Sequence, residues 1–180
     1  MFVIITRVRR DPNAKPIHPI IILTWAGCML GLSMTTMATF LPWTTYESIQ
    51  PYSGGDLPQF SWAKATFSLM CTSSVVSILL MVLFFVIIYL LKEHGFTLFL
   101  RKICIGYLIL ICFNIVLLLA AFTVFDIGVS NMNVEQYGTF GFGVSVYFLY
   151  VAIGSYIFAG GFWFLFVWKY FEEYQVARYR

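Results

Sequence analysis

The chain has 180 residues, of which 61% are hydrophobic and only 11% are charged. This composition excludes a water-soluble domain with a buried core, and it leaves little chain for a separate folded module. The net charge of +3 is modest, and the basic residues form no stripe of the kind that binds nucleic acid. We therefore predict an integral membrane protein.

Four apolar segments follow one another along the chain, and none contains Asp, Glu, Lys, Arg or His. Each reaches the roughly 20 residues that a helix needs to cross a bilayer. The segments cover residues 20–41, 65–91, 103–125 and 141–168. We predict one four-span domain over residues 1–180, with an all-α fold in which the spans form a left-handed bundle.

The basic residues are distributed unevenly between the segments that separate these spans. The odd loops, residues 42–64 and 126–140, contain only Lys64. The other ten Lys and Arg residues lie in the segments 1–19, 92–102 and 169–180. Because basic residues favour the cytosolic side, we expect both termini in the cytosol, facing an anionic inner leaflet.

The first outer loop, residues 42–64, is the only sizeable segment outside the spans. Its residues 43–49 are rich in β-branched and aromatic side chains, which favour a strand. A turn at Ser53–Asp56 and a second short strand over Leu57–Trp62 would complete a small extracellular β-hairpin. Its exposed aromatic and charged residues are the candidates for contact with a partner: Trp43, Tyr46, Glu47, Tyr52, Asp56, Phe60, Trp62 and Lys64.

Each of these candidates also has a simpler interpretation. Trp43 and Trp62 lie next to span ends, where tryptophan commonly forms a belt at the bilayer surface. Glu47 and Asp56 are either solvated loop carboxylates or, in a third functional hypothesis, the cation-selecting charges of a paracellular pore. Neutralising both carboxylates would then lower cation permeability across a cell layer.

Small and polar residues inside the spans indicate where helices approach one another. Gly27 and Gly31 form a GxxxG pattern in the first span, which permits close contact of two backbones. Asn114 is suited to an interhelical hydrogen bond, or else to lining a pore. The candidates on the fourth span are Ala152, Ser155, Ala159 and Gly160. This packing is either within one bundle or part of a homo-oligomer interface.

Residues for catalysis or for binding a cofactor are not apparent in the sequence. The spans contain no Asp, Glu, Lys, Arg or His, although transporters and membrane enzymes usually have such a residue there. His18 and His94 have no Cys or carboxylate cluster at ligand spacing, and no CxxC occurs. The four cysteines all lie within spans, so no disulfide is expected in the outer loops. We predict a protein that is not an enzyme and has no cofactor or metal.

Three stretches resemble the superfamily of claudins, peripheral myelin proteins and calcium-channel gamma subunits. Leu41-Pro42-Trp43 is similar to the tryptophan outside the family's first helix. Residues 62–70, WAKATFSLM, resemble the claudin pattern of a basic residue shortly before Leu-Met. Residues 146–150, VYFLY, followed by Gly160-Gly161, are similar to the family's last helix. The Gly-Leu-Trp and two Cys of the claudin first outer loop are absent here.

This resemblance implies a claudin-like fold, a plasma-membrane location and a non-enzymatic role in cell junctions, adhesion or membrane organisation. Without the loop disulfide, it implies an outer sheet that is held by packing alone. An alternative is an auxiliary, gamma-like subunit of an ion channel or transporter. The expected partners are the lipid bilayer and membrane proteins of the same or a neighbouring cell, including a second copy of the chain, but not nucleic acid.

Overall fold

In a computed structural model, residues 19–41, 43, 61–94, 97–131 and 142–178 are described, without the side chains of 94, 98 and 170–178. These residues form four long helices. They are α1 (Pro19–Phe40), α2 (Ser61–His94), α3 (Leu98–Ser130) and α4 (Val144–Arg178). Each contains a stretch long and apolar enough to cross a membrane. The predicted four-helix, nearly all-α architecture is confirmed, whereas the predicted outer hairpin lies mostly outside the described residues.

Three of the helices extend well beyond the predicted apolar spans. α2 begins at Ser61, ahead of the span predicted from residue 65, and α3 continues past residue 125 to Ser130. Charged residues near span ends can remain helical because they reach water or headgroups there. The predicted second strand over Leu57–Trp62 is therefore wrong for its last two residues, since Ser61 and Trp62 form the start of α2.

The link between α2 and α3 is short, and α3 has a defined start. Thr97 caps α3 in an extended conformation (φ −113°, ψ 157°), and its hydroxyl accepts a hydrogen bond from the Leu100 amide at 3.2 Å. Such a cap satisfies one of the free N–H groups of the first turn. At the other end, the Asn131 amide donates to the Ile127 carbonyl at 3.1 Å.

The four helices pack as a closed ring. α1 contacts α2 and α4, and α3 contacts α2 and α4. The spacing between α1 and α4 depends on glycine. A Cβ atom placed on Gly27 would lie 3.0 Å from the Cβ of Ala159, and one on Gly31 would lie 2.7 Å from Cζ of Tyr156. These distances are shorter than a normal van der Waals contact, so a side chain at either position would require α4 or the Tyr156 ring to shift.

The fourth-span candidates are divided between two helix contacts. The Ser155 carbonyl lies 3.2 Å from a Cβ placed on Gly27, and Ala152 is fully buried. Gly160 faces α3 instead, because a Cβ atom there would lie 3.3 Å from Cγ2 of Ile111. These candidates therefore lie within the bundle, and together they contact both neighbouring helices.

A buried hydrogen-bond network joins α2, α3 and α4 at mid-height. The Ser73 hydroxyl donates to Oδ1 of Asn114 at 2.8 Å, and Nδ2 of Asn114 donates to the Ser77 hydroxyl at 3.1 Å. The Tyr156 hydroxyl donates to Ser77 at 2.6 Å, and Ser77 donates to the Ser73 carbonyl at 2.8 Å. Every hydrogen-bonding position of the Ser77 hydroxyl is thus occupied.

Replacing Asn114 with leucine will lower the free energy of unfolding by about 1–2 kcal/mol. The substitution removes two interhelical hydrogen bonds, each worth about 0.6 kcal/mol on average within a membrane, and leaves Ser73 without its acceptor. Unfolding with a denaturing detergent in mixed micelles measures the change. Thr123→Val is the matched control, since that exposed hydroxyl bonds only to the Leu119 carbonyl of its own helix. Equal effects of the two substitutions would contradict a stabilising network.

Candidate functional site at the loop end of the bundle

We call the end where α1 finishes and α2 starts the loop end, and the opposite end, where α2 passes to α3, the hairpin end. At the loop end the chain is fixed by Trp43, three residues beyond α1. This side chain is 1% exposed, and its indole N–H donates to the Ala38 carbonyl at 2.8 Å. Its own carbonyl accepts from the Gly143 amide at 2.7 Å. Trp43 thereby joins the end of α1 to the residue that precedes α4.

A second tryptophan fixes the chain where it enters α2. Trp62, in the first turn of α2, packs over Gly128, where any Cβ atom would overlap the indole ring. Its ring centroid lies 5.9 Å from that of Phe125. Trp43 contacts the same phenylalanine, with a centroid distance of 4.9 Å. We call these three residues, Trp43, Trp62 and Phe125, the aromatic clamp.

The aromatic clamp determines where residues 44–60 leave the bundle and where they return. Both flanking tryptophans rest on one buried side chain of α3, so the ends of this segment are held close together. Bringing two positions that are far apart in the chain together costs entropy, which the aromatic contacts offset. Packing at the bundle surface thus provides a restraint of the kind that a disulfide would otherwise supply.

Comparison with known proteins agrees with this architecture. The profile of the family described as tight junction protein, claudin-like, matches residues 14–168, which is most of the chain. The chain belongs to the claudin-like family. No curated protein and no solved structure gives a significant match. The resemblance drawn from residues at the span ends is confirmed by the family match.

In this claudin-like protein the candidate contact residues have different surroundings. Trp43 is buried and Trp62 is half-buried, so both lie in the packing of the bundle. Lys64 is exposed on α2, just beyond the clamp. The remaining candidates lie outside the described residues: Tyr46, Glu47, Tyr52, Asp56 and Phe60.

Sequence reasoning did not identify Phe125 and Gly128 as the surface that receives both tryptophans. They are three residues apart near the end of α3 and therefore share one helix face. The available signal in the sequence was an aromatic residue one helical turn from a glycine at a span end. This pattern predicts a packing surface, but it does not identify the distant residue, Trp62, that packs over the glycine.

The described part of the claudin-like chain offers little for metal or charge chemistry. Among the side chains that the structure describes, no group of three or more His, Cys, Asp or Glu residues is placed to bind a metal ion. None of the buried side chains described there is charged. The four cysteines are free thiols, and Sγ of Cys28 lies 3.3 Å from the Tyr107 hydroxyl. The arrangement suits helix packing and the display of a loop.

Proposed function

We propose that this claudin-like protein is a non-enzymatic structural protein that acts at cell–cell contacts through residues 44–60. The proposal depends above all on the aromatic clamp, which gives that segment a fixed base on the membrane bundle. Membership of a tight junction family supports the same role. The protein is accordingly expected in the plasma membrane with both termini in the cytosol.

A fixed base favours binding by the segment that it holds. Association is weakened by the entropy lost when mobile groups become ordered, and restraint before binding reduces that loss. Residues 44–60 contain Tyr46, Tyr52 and Phe60, of the aromatic type that often dominates binding energy. The exposed Lys64 adds a charge at the edge of this surface.

The interior of the bundle supports a scaffold role. At mid-height, Ser73, Ser77, Asn114 and Tyr156 bond to one another across three helices. Hydrogen-bond networks of this kind make a core more rigid. A rigid bundle holds the loop end in one geometry, which suits repeated contacts between neighbouring molecules.

A second candidate function, an auxiliary subunit of an ion channel or transporter, is favoured by one face of α4. Four exposed residues recur there every seven positions: Tyr147, Gly154, Gly161 and Trp168. A Cβ atom on Gly154 or Gly161 would have no neighbour within 4 Å. Open glycines between aromatic residues allow another transmembrane helix to approach closely.

The test is expression of the intact chain in cells that lack junctional strands, followed by imaging of contacts between cells. We expect enrichment where two expressing cells meet, and a loss of at least half of it when residues 44–60 are replaced by a Gly/Ser segment of equal length. A matched control replaces residues 132–141, the second loop, in the same way. Both variants must first match the parent in helical content and melting temperature.

The outcomes separate the two candidates. Enrichment that depends on residues 44–60, with homotypic crosslinked ladders, supports the junctional role. Isolation of one heterologous membrane protein at fixed stoichiometry, with no enrichment at contacts, supports the auxiliary role instead. Enrichment that survives replacement of residues 44–60 would contradict the assignment of the site to the loop end.

A further inference from the structure

The hairpin end of the bundle carries four basic residues that the proposed junctional role does not use. Lys92 lies near the end of α2, Arg101 and Lys102 lie near the start of α3, and Lys169 lies on α4. Lys92, Lys102 and Lys169 are exposed, and Arg101 is partly exposed. Lys92 and Arg101 also make interactions within the protein. We call these four residues the basic rim.

Contacts between the helices place the basic rim at one level. The Trp163 indole donates to the Cys104 carbonyl at 3.0 Å, which sets the height of α4 against α3. Lys169 is six residues beyond Trp163, or about 9 Å along the helix, which brings it level with the start of α3. Arg101 lies about 4.5 Å from Cys104 in the same direction.

The position of α2 follows from ring contacts in the same layer. The Phe84 ring lies 6.2 Å from that of Tyr107 and 6.0 Å from that of Trp163. Lys92 is eight residues past Phe84, about 12 Å toward the hairpin end. Lys102 is five residues before Tyr107, about 7.5 Å in that direction. All four basic residues therefore surround the same end of the bundle.

The two ends of the bundle differ in charge. Among the described side chains, the hairpin end has the four residues of the basic rim against one acid, Glu93. The loop end has Lys64 and Asp126, which balance. The start of α3 has no acidic residue in its first turn, so its helix dipole adds to the positive potential. The excess charge indicates an anionic partner.

Apolar side chains beside the basic rim identify the kind of anion. Trp168, next to Lys169, is 64% exposed, and Phe99, two residues before Arg101, is 69% exposed. Tyr89, three residues before Lys92, is 63% exposed. A cation beside an exposed aromatic ring matches a molecule that has both a phosphate and an acyl chain. A small soluble anion has no apolar part that could pack against these aromatic rings.

We propose that the basic rim binds the headgroups of anionic phospholipids in the leaflet at the hairpin end. The lipid phosphates contact the four residues of the basic rim, while the acyl chains lie against the exposed aromatic rings. Each basic residue near an anionic surface strengthens binding about five-fold. The proposal requires only that the bundle lies in a membrane, so it and the junctional role can fail independently.

The test uses the intact chain in nanodiscs of phosphatidylcholine that contain a few dansyl-labelled lipids. Energy transfer from the tryptophans, of which Trp163 and Trp168 lie near the basic rim, reports lipid at the protein surface. We expect labelled phosphatidylserine to be preferred over labelled phosphatidylcholine at least five-fold, with the preference falling as salt is added. The variant K92Q/R101Q/K102Q/K169Q should lose this preference, and the control Lys64→Gln should keep it.

Further measurements keep the result unambiguous. If the four-fold variant does not fold, the pair K102Q/K169Q, which alters two exposed side chains, should reduce the preference at least three-fold. An unchanged preference in a folded variant would overturn the proposal. So would complete displacement of the labelled lipid by millimolar inorganic phosphate at constant ionic strength, because that would identify a site for free phosphate.

Discussion

Phe125→Ala will lower the free energy of unfolding by about 3–5 kcal/mol, the range found when a buried phenylalanine is truncated. The ring is 1% exposed and supports Trp43 on one side and Trp62 on the other. Phe142, at 6.4 Å, also loses a neighbour. Thermal unfolding in detergent, followed by circular dichroism, measures the loss. Tryptophan emission should shift to longer wavelength, because Trp43 becomes accessible.

Two matched variants identify the cause of this loss. Phe113→Ala alters a phenylalanine on the same helix that is 49% exposed, and it should change stability by less than about 0.5 kcal/mol. Trp43→Phe retains an aromatic ring but removes the bond to the Ala38 carbonyl, which should cost about 1 kcal/mol. If Phe125→Ala is no more harmful than Phe113→Ala, the aromatic clamp does not hold the loop end.

Gly31→Leu will separate α1 from α4 and reduce stability by about 3 kcal/mol, the upper end of the usual cost of overpacking. A Cβ atom at this position would lie within 3.0 Å of three atoms of the Tyr156 ring, and leucine adds three further carbons. Displacing that ring also pulls its hydroxyl from Ser77. Unfolding by denaturing detergent measures the effect on the bundle.

The control for this prediction is the same glycine-to-leucine change at a position that has no neighbouring atoms. Gly154→Leu places the same side chain on α4 where a Cβ atom has no neighbour within 4 Å, so it should be neutral or slightly stabilising. Tyr156→Leu should relieve part of the overlap when combined with Gly31→Leu, giving a coupling energy of about 0.5–3 kcal/mol. Additive effects of these two substitutions would show that Gly31 does not act through Tyr156.

The four helices could be predicted from the sequence because a bilayer imposes both length and composition on each span. The helix ends could not be predicted, since charged residues such as Lys64 and Asp126 also lie within the helices. α2 therefore starts at Ser61, inside the segment that local propensity assigned to a strand. The apolar pattern indicates which residues cross the membrane, whereas the capping groups and the contacts at the helix ends determine where each helix begins and ends.

The candidate site was predictable only in its parts. Trp43 and Trp62 stand out in the sequence, but their shared contact with Phe125 joins residues far apart in the chain. Asn114 was a clear candidate for an interhelical bond. Its partners Ser73 and Ser77 are one turn apart on α2. The sequence does not reveal them, because the register between α2 and α3 determines which residues of α2 face Asn114.

Some expectations remain predictions. These are the handedness of the bundle, the outer hairpin, and the paracellular pore in which Glu47 and Asp56 would select cations. The absence of a loop disulfide, expected from the placement of the cysteines, gives the aromatic clamp its importance. Residues 44–60 are held at their two ends by side-chain packing, which has no redox dependence.

The contact between α1 and α4 also bears on how the protein is made. Of the four helices, α1 is synthesised first, and it acquires one of its two neighbours only when α4 has been inserted. Until then no α4 packs against Gly27 and Gly31, and α2 is the only one of the other three helices that α1 contacts. A truncated product that ends before residue 144 therefore exposes unfilled glycine positions within the membrane. Such a surface distinguishes an incomplete copy of the bundle from a finished one.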